Sequence, residues 1–249
     1  MSCLHINIEY QNGKTRLADS YFTQPFKVAK PFEKDNGIRI MVMTATAGIL
    51  QGDAYDIQVK AGDRTRTVVT NQSYTKIFNT REGEAFQTIK LQVEGRGELA
   101  WMMQPVIPFH NSAFTTMTEV ILSEQAAFCY TDILACGRVG MGESFAFRKY
   151  HGRVVVKDET GNPFYLDNVR MYSKEQDYSG MGFFENFTHM GSMYLYGYEK
   201  PVLKQAEGVT AVVTEAKKGY AVRFMGNSAD RLYGYALEVY KDLQRLGNI

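Results

Sequence analysis

The chain has 249 residues, with 28 basic and 27 acidic side chains and a formal net charge of +1. This length allows one large domain with a substantial core, and the balanced charge argues against a dedicated nucleic-acid-binding protein, which usually has a clear basic excess. Three cysteines do not make a disulfide framework, and neither a signal peptide nor a membrane-spanning apolar run is found. We therefore expect a cytoplasmic protein without a membrane partner, folded as a single domain over 1–249.

Most of the chain is predicted to form β-strands. Apolar and polar residues alternate in "YDIQVKAG" (55–62), "TIKLQVE" (88–94) and "TMTEVILS" (116–123), and turn signals recur about every ten residues. This spacing favours an all-β sandwich, barrel or solenoid over a doubly wound α/β fold. No exact internal repeat is visible, so the sequence does not support a regular solenoid.

Two helices are predicted near the C-terminus. The longer one covers about 228–246, because Leu232, Tyr235, Ala236, Val239, Tyr240 and Leu243 follow helical spacing. Asn227 or Ser228 can serve as its N-cap, and Asp230 falls in the first turn, where the helix dipole favours an anion. A shorter helix is predicted over about 201–207, since Pro201 suits the first helical position.

A glycine-rich stretch, "CYTDILACGRVGMGESFAF" (129–147), has the composition of a phosphate-binding loop. Its glycine order, Gly137-x-x-Gly140-x-Gly142, reverses the dinucleotide fingerprint. The following "ESFAFRKY" alternates like a strand, so no helix N-terminus is predicted to receive a phosphate. We interpret the stretch as a bend between two strands, where the backbone must turn or approach closely.

No catalytic, cofactor or dedicated metal site is predicted from spacing. The four histidines, His5, His110, His151 and His189, share no metal-ligand spacing. Cys129 and Cys136 are separated by seven residues on a predicted strand, which puts them on opposite faces. The lack of metal-ligand spacing is still compatible with weak, transient binding of an ion by carboxylates or thiols.

Three carboxylates are of interest: Asp53, Asp132 and Glu143. Asp53 follows Gly52 and is typical of a turn. Asp132 lies in the apolar strand "FCYTDILAC", where an unpaired carboxylate is costly. Either Arg138, six residues further on, pairs with Asp132, or the carboxylate faces a wet interior.

Five blocks, read in order, carry a family resemblance. The chain resembles the urease accessory protein family UreD, called UreH in some species, through "QPFKVAKPF" (24–32), "TAGILQGDAYDIQVKAGDRTRTVVTNQSYTKIF" (46–78), "LAWMMQPVIPFHNSAF" (99–114), "TDILACGRVGMGESFAFRKYHGRVVV" (131–156) and "FTHMGSMYL" (187–195). The positions that match the family pattern are Lys27, Gly52, Lys76, Gln104, Pro105, Pro108, Gly137, Arg138 and Gly142.

The resemblance implies a layered, helically wound β architecture with about two helices. It also implies a scaffold that is not an enzyme and that is needed for nickel insertion into apo-urease. The partners implied are an F-type accessory protein, a G-type GTPase and apo-urease itself. A water-filled tunnel that carries nickel is implied as well, with Asp53, Asp132 and Glu143 as transit candidates and Lys76 as a balancing charge; no tightly bound cofactor is expected.

Two other functions stay open on the sequence. The first is an enzyme on a β-rich scaffold, for example a hydrolase that uses Asp132 or Glu143, which requires a concave pocket with a perturbed carboxylate. The second is a binding module that uses the segment "YSGMGFFENFTHMGSMYLYGY" (178–198), unusually rich in aromatic residues and methionine. A core strand pair is the simpler interpretation of that segment.

Overall fold

Two β-sheets, between which the chain passes repeatedly, form the body of the protein. The computed structural model describes residues 1–34 and 37–246. Over those ranges the strands are β1 (Ser2–Gln11), β2 (Lys14–Phe22), β3 (Phe26–Val28), β4 (Phe32–Lys34), β5 (Gly37–Thr44), β6 (Ala54–Ala61), β7 (Arg66–Asn71), β8 (Thr75–Ile77), β9 (Ala85–Val93), β10 (Glu98–Met102), β11 (Val106–Pro108), β12 (Ala113–Leu122), β13 (Ala127–Ala135), β14 (Lys149–Asp158), β15 (Pro163–Tyr172), β16 (His189–Tyr196), β17 (Val209–Glu215) and β18 (Tyr220–Gly226). A short 3-10 helix, Val139–Met141, follows β13, and the α-helix α1 covers Ala229–Leu246.

The strand order shows how the chain is wound. The first sheet has the order β15-β14-β12-β9-β6-β1-β2, and the second has β17-β18-β16-β13-β10-β7-β5-β3, with β4, β8 and β11 paired beside this path. From β5 to β14 the chain crosses from one sheet to the other, and strands from successive passes pair in parallel, as β6 with β9 and β7 with β10. Antiparallel hairpins, β1–β2 and β14–β15, close the two ends of the first sheet. The predicted layered, helically wound β architecture is confirmed.

The main core lies on the inner face of the first sheet, against the second. In β6 the inward residues Tyr55, Ile57 and Val59 are buried, whereas the alternate positions 56, 58 and 60 are not. This period of two follows from the pleat, which points successive side chains to opposite faces. The alternation read from the sequence therefore gives the correct inner face for this strand.

The middle of the second sheet is buried on both faces, because α1 packs against β13, β16 and β18 on the side turned away from the main core. Nearly every residue of β13 is buried, as expected for a strand covered on both sides. Cys129 packs with the α1 cluster and Cys136 with the main core. The predicted placement of these two cysteines on opposite faces is confirmed.

The predicted C-terminal helix is confirmed, and side-chain hydrogen bonds hold it. The Ser228 Oγ accepts the Arg231 backbone N–H at 3.3 Å, so Ser228 is the N-cap. Along the helix, the Glu98 Oε1 at the start of β10 accepts hydrogen bonds from the Tyr240 hydroxyl at 3.0 Å and the Gln244 Nε2 at 3.1 Å. These bonds fix α1 to the outer face of the second sheet.

The predicted helix over 201–207 is wrong. Residues 201–205 have no regular structure, and Ala206 forms an isolated bridge with Val209. A helix this short gains few hydrogen bonds for the cost of nucleation, and Val202 is exposed, so little packing offsets that cost. The chain instead turns at Gly208, with φ of 73°, into β17.

Candidate functional site

The glycine-rich stretch begins within β13, and its glycines lie in the connection 136–148, which bends the chain between β13 and β14. A Cβ on Gly137 would lie 2.7 Å from the backbone oxygen of Glu143, so glycine is needed there for close approach of the backbone. The interpretation as a bend is confirmed. The strand-like continuation is wrong: Phe145 has φ of 50°, and β14 begins only at Lys149.

Arg138 and Glu143 tie the two ends of this bend together. The Arg138 Nε donates to the Glu143 Oε2 at 2.8 Å, and a second guanidinium nitrogen donates to the Glu143 Oε1. This hydrogen bonding holds the pKa of Glu143 below its usual value. The Arg138 guanidinium also lies 4.4 Å from the centroid of the Phe109 ring. The proposed Asp132–Arg138 pair is wrong, because Arg138 lies beyond the end of β13 and has Glu143 as its partner.

An internal cavity of about 120 Å³ lies between the two sheets. A water molecule needs only about 10–15 Å³ of such space, so several fit. The walls are partly apolar, with Phe26, Val42, Ile49, Trp101 and Phe114, and partly polar, with Gln87, Gln104, Thr116, Thr131 and Asp132. The exposed loop residues Gln72 and Ser73 border the cavity at its mouth.

Asp132 is the carboxylate of this cavity. The Tyr150 hydroxyl, also in the wall, donates to the Asp132 Oδ2 at a long 3.4 Å. Burial raises the pKa of Asp132 to about 6, the Asp167 carboxylate adds to the rise, and Tyr150 and Arg223 oppose it. Part of the Asp132 surface is nevertheless accessible. Of the two sequence alternatives for Asp132, a carboxylate facing a wettable interior fits this geometry.

A second, smaller space meets Asp132. A crevice of about 10 Å³, room for about one water, is bounded by Asp132, Val169, Ser192 and Arg223 among others. Arg223 forms a bidentate ion pair with Asp167, with nitrogen–oxygen distances of 2.7 and 2.8 Å. Asp132 therefore lines both the main cavity and a crevice beside this ion pair.

The loops at the cavity mouth are held by several of the family-matching residues. The backbone oxygen of Pro105 accepts the Thr75 N–H at 2.9 Å, and the Gln104 N–H donates to the Asn71 Oδ1 at 2.6 Å. Pro108 ends β11, which pairs with β8. Lys76 lines the mouth but is exposed, so its expected role in balancing a buried charge is wrong.

The remaining sequence candidates lie outside the cavity wall. The Asp53 Oδ2 accepts the Leu50 N–H at 2.8 Å and the Tyr55 hydroxyl at 2.9 Å, and Gly52 has φ of 79° in the same turn. Lys27 is exposed on β3. Gly142 caps the 3-10 helix with φ of 74°. These residues shape turns and edges, and among the described wall residues only Asp132 supplies a carboxylate.

The aromatic segment 178–198 is divided between core and surface. Tyr178 and Phe184 are buried, as are most residues of β16, whereas Met181 and Phe183 are exposed. The simpler interpretation as core thus holds for much of the segment. Residues 181–183 are exposed, so the hypothesis that this segment contacts a partner applies to them.

Sequence reasoning missed the surroundings of Asp132. Tyr130 and Tyr150 share the cavity wall with it, and Asp167 and Arg223 lie beside it although they are 56 positions apart. Only the presence of a carboxylate in an apolar strand pointed to the site.

No helix among the described residues is long and apolar enough to cross a bilayer.

Comparisons with known proteins give one consistent result. A family model described as UreD urease accessory protein matches residues 1–247. A protein of Acetivibrio thermocellus named urease accessory protein UreD is 40% identical over 243 residues, which covers 93% of this chain and 92% of the relative. A protein of Helicobacter pylori strain P12 named urease accessory protein UreH is 31% identical over 212 residues, covering 82% and 79%. A UreD relative from Flavobacterium johnsoniae is 27% identical and covers 96% and 91%.

Proposed function

Because this chain belongs to the UreD family of urease accessory proteins, which gives it a role in urease maturation, we propose that it is a scaffold required for nickel insertion into apo-urease. It acts in a complex with an F-type accessory protein and a G-type GTPase. Its three free cysteines are typical of the reducing cytoplasm. The relatives carry names of accessory proteins and not of catalytic enzymes.

The observation that supports a transit role most strongly is the cavity with Asp132 in its wall. A cargo ion needs a path with enough room for its water and with donors that bind it weakly. The cavity offers about 120 Å³, and its mouth is open beside the exposed loop residues Gln72 and Ser73. The separate crevice beside Arg223 also borders Asp132.

The donor chemistry of the wall suits passage and not storage. Nickel(II) is held firmly by imidazole and thiolate ligands, whereas carboxylate, hydroxyl and amide oxygens bind it more loosely. The described wall residues include oxygen donors such as Asp132, Thr131 and Gln104 but no histidine or cysteine. One carboxylate among neutral oxygens attracts a hydrated cation without trapping it.

A hydrolase that uses Asp132 is the competing hypothesis, since a cavity and a carboxylate of raised pKa are what it requires. A general acid also needs a nucleophile or a second ionisable group in reach. Apart from tyrosines, Lys76 is the other ionisable side chain among the described wall residues, and it is exposed at the mouth. The wall therefore favours transit over catalysis.

Omission of the chain tests the proposal. The urease operon is expressed with and without this chain at equal cellular nickel, and urea hydrolysis and nickel per urease are measured. We expect urease made without the chain to be largely nickel-free and close to inactive, because the ion would lack its path into the apo-enzyme. Equal activity and equal nickel content in the two cultures would refute the proposal.

A further inference from the structure

A side-chain cluster on the outer face of the first sheet resembles a metal site. The Cys3 sulfur, a His5 ring nitrogen and an Asp56 carboxylate oxygen all lie within 4.8 Å of one another. We propose that Cys3, His5 and Asp56 bind one exchangeable divalent ion of borderline softness, of the Ni²⁺ or Zn²⁺ class. This site goes beyond the proposed function and does not depend on it.

The parallel pairing of β1 and β6 creates the cluster. Cys3 and His5 are two positions apart, so their side chains share one face of β1. Asp56 is the direct partner of Cys3 in the neighbouring strand. Leu4 and Ile57, which alternate with these residues, line the internal cavity from the opposite face. The cluster is therefore separated from the cavity by the thickness of the sheet.

The distances suit a common ion. The His5 Nε2 and the Asp56 Oδ2 are 3.2 Å apart, close to the separation of about 3–3.5 Å that two ligands have when each is about 2.1 Å from a metal. These two atoms share a hydrogen bond. An ion would replace the shared proton and keep both side chains nearly in place.

The donor set selects the class of ion. A thiolate is soft, an imidazole is intermediate and a carboxylate is hard, so the combination favours Zn²⁺, Ni²⁺ or Co²⁺ over Mg²⁺ or Ca²⁺. The His5 side chain is 42% exposed and that of Asp56 15%, which gives an ion access from solvent. Three protein ligands leave positions for water, as in open sites and unlike closed structural zinc sites.

Gln58 positions the carboxylate. Its Nε2 donates to the Asp56 Oδ2 at 2.8 Å, an outer-shell contact of the kind that orients metal ligands. Gln58 itself is not a ligand in this proposal. Its replacement by leucine should weaken binding by about tenfold without changing which atoms coordinate the ion.

Metal titration of the full-length chain under reducing conditions tests the site, with Ni²⁺ and Zn²⁺ followed by calorimetry and Co²⁺ by absorption. We expect one ion per chain and a thiolate charge-transfer band. The isosteric change Cys3→Ser should abolish the band, because Cys129 and Cys136 are buried. Changes Asp56→Asn and His5→Ala should weaken binding by at least about tenfold.

His151→Ala is the matched control, since His151 lies on β14 of the same sheet and contacts Asn168; it should bind as the parent does. Absence of the band in the parent, or its persistence in Cys3→Ser, would overturn the proposal. Urease plays no part in these measurements, so their failure leaves the proposed function untouched, and failure of the omission experiment leaves this site untouched.

Discussion

Replacement of Asp132 by leucine should lower the urease activity obtained in a maturation assay by roughly tenfold or more, the size of effect typical for loss of a metal-orienting group. The cavity would then keep its neutral oxygen donors but lose its carboxylate. The cavity has room for the larger leucine side chain, and leucine does not carry the desolvation cost of a buried carboxylate. Lost activity in a protein of undiminished stability is therefore expected.

Glu119→Gln is the control for this variant. Glu119 is a carboxylate of β12 that does not line the cavity. It pairs with Lys157 at 2.5 Å, and its side chain is 40% exposed. The substitution should leave both nickel content and urea hydrolysis unchanged. A folded Asp132→Leu protein that still yields fully active urease would contradict the proposed transit role of Asp132.

The stability of the parent protein relative to Asp132→Asn should decrease as pH rises from about 4 to above 6. The folded-state pKa of Asp132 is raised from 3.8 to about 6, so between these values the native state binds more protons than the unfolded state. Stability from this group is thus complete at low pH and is lost as pH rises through the folded pKa. A folded-state pKa about two units above the unfolded one corresponds to on the order of 3 kcal/mol.

Denaturant unfolding of both proteins at pH 5 and pH 7.5 measures this effect. Carboxylates that do not interact with Asp132 contribute equally to the two proteins, so the difference in unfolding free energy reports on Asp132 and its interaction with Asp167. The parent should lose stability relative to Asp132→Asn at the higher pH. A difference that stays constant with pH would show that Asp132 ionises as an ordinary surface carboxylate.

Together these two predictions describe a residue that costs stability where it stands. A buried strand such as β13 is expected to carry apolar side chains, and proteins depart from this expectation mainly at functional sites. Asp132 departs from it in a cavity wall.

Patterns of local origin could be read from the sequence. Alternation in β6 and β9 follows from the pleat, and the N-cap at Ser228 follows from the orphan N–H groups of the first helical turn. The odd spacing of Cys129 and Cys136 is enough to separate them. Asp132 could be identified because a single carboxylate in an apolar strand is costly wherever its neighbours lie.

Features that depend on pairing between distant segments could not be read. The Asp167–Arg223 ion pair joins β15 to β18, and the Cys3–Asp56 neighbourhood exists only in the parallel register of β1 and β6. Pairing Arg138 with Asp132 assumes a straight strand, which the turn at Gly137 breaks. Each of these contacts is set by how the strands wind between the two sheets.

A reversible plug at the cavity mouth tests nickel passage most directly. Ser73 is exposed at the mouth and is changed to cysteine in a Cys3→Ser background. The new cysteine is coupled to a bulky thiol reagent through a disulfide. The control is Lys217→Cys, on the exposed turn after β17, labelled in the same way. Nickel per urease is then measured in a reconstituted maturation in which the labelled chain still co-purifies with apo-urease. Passage through the cavity predicts little nickel with the Ser73→Cys label, recovery on reduction and no effect at Lys217→Cys; full loading by the labelled, urease-bound protein would contradict it.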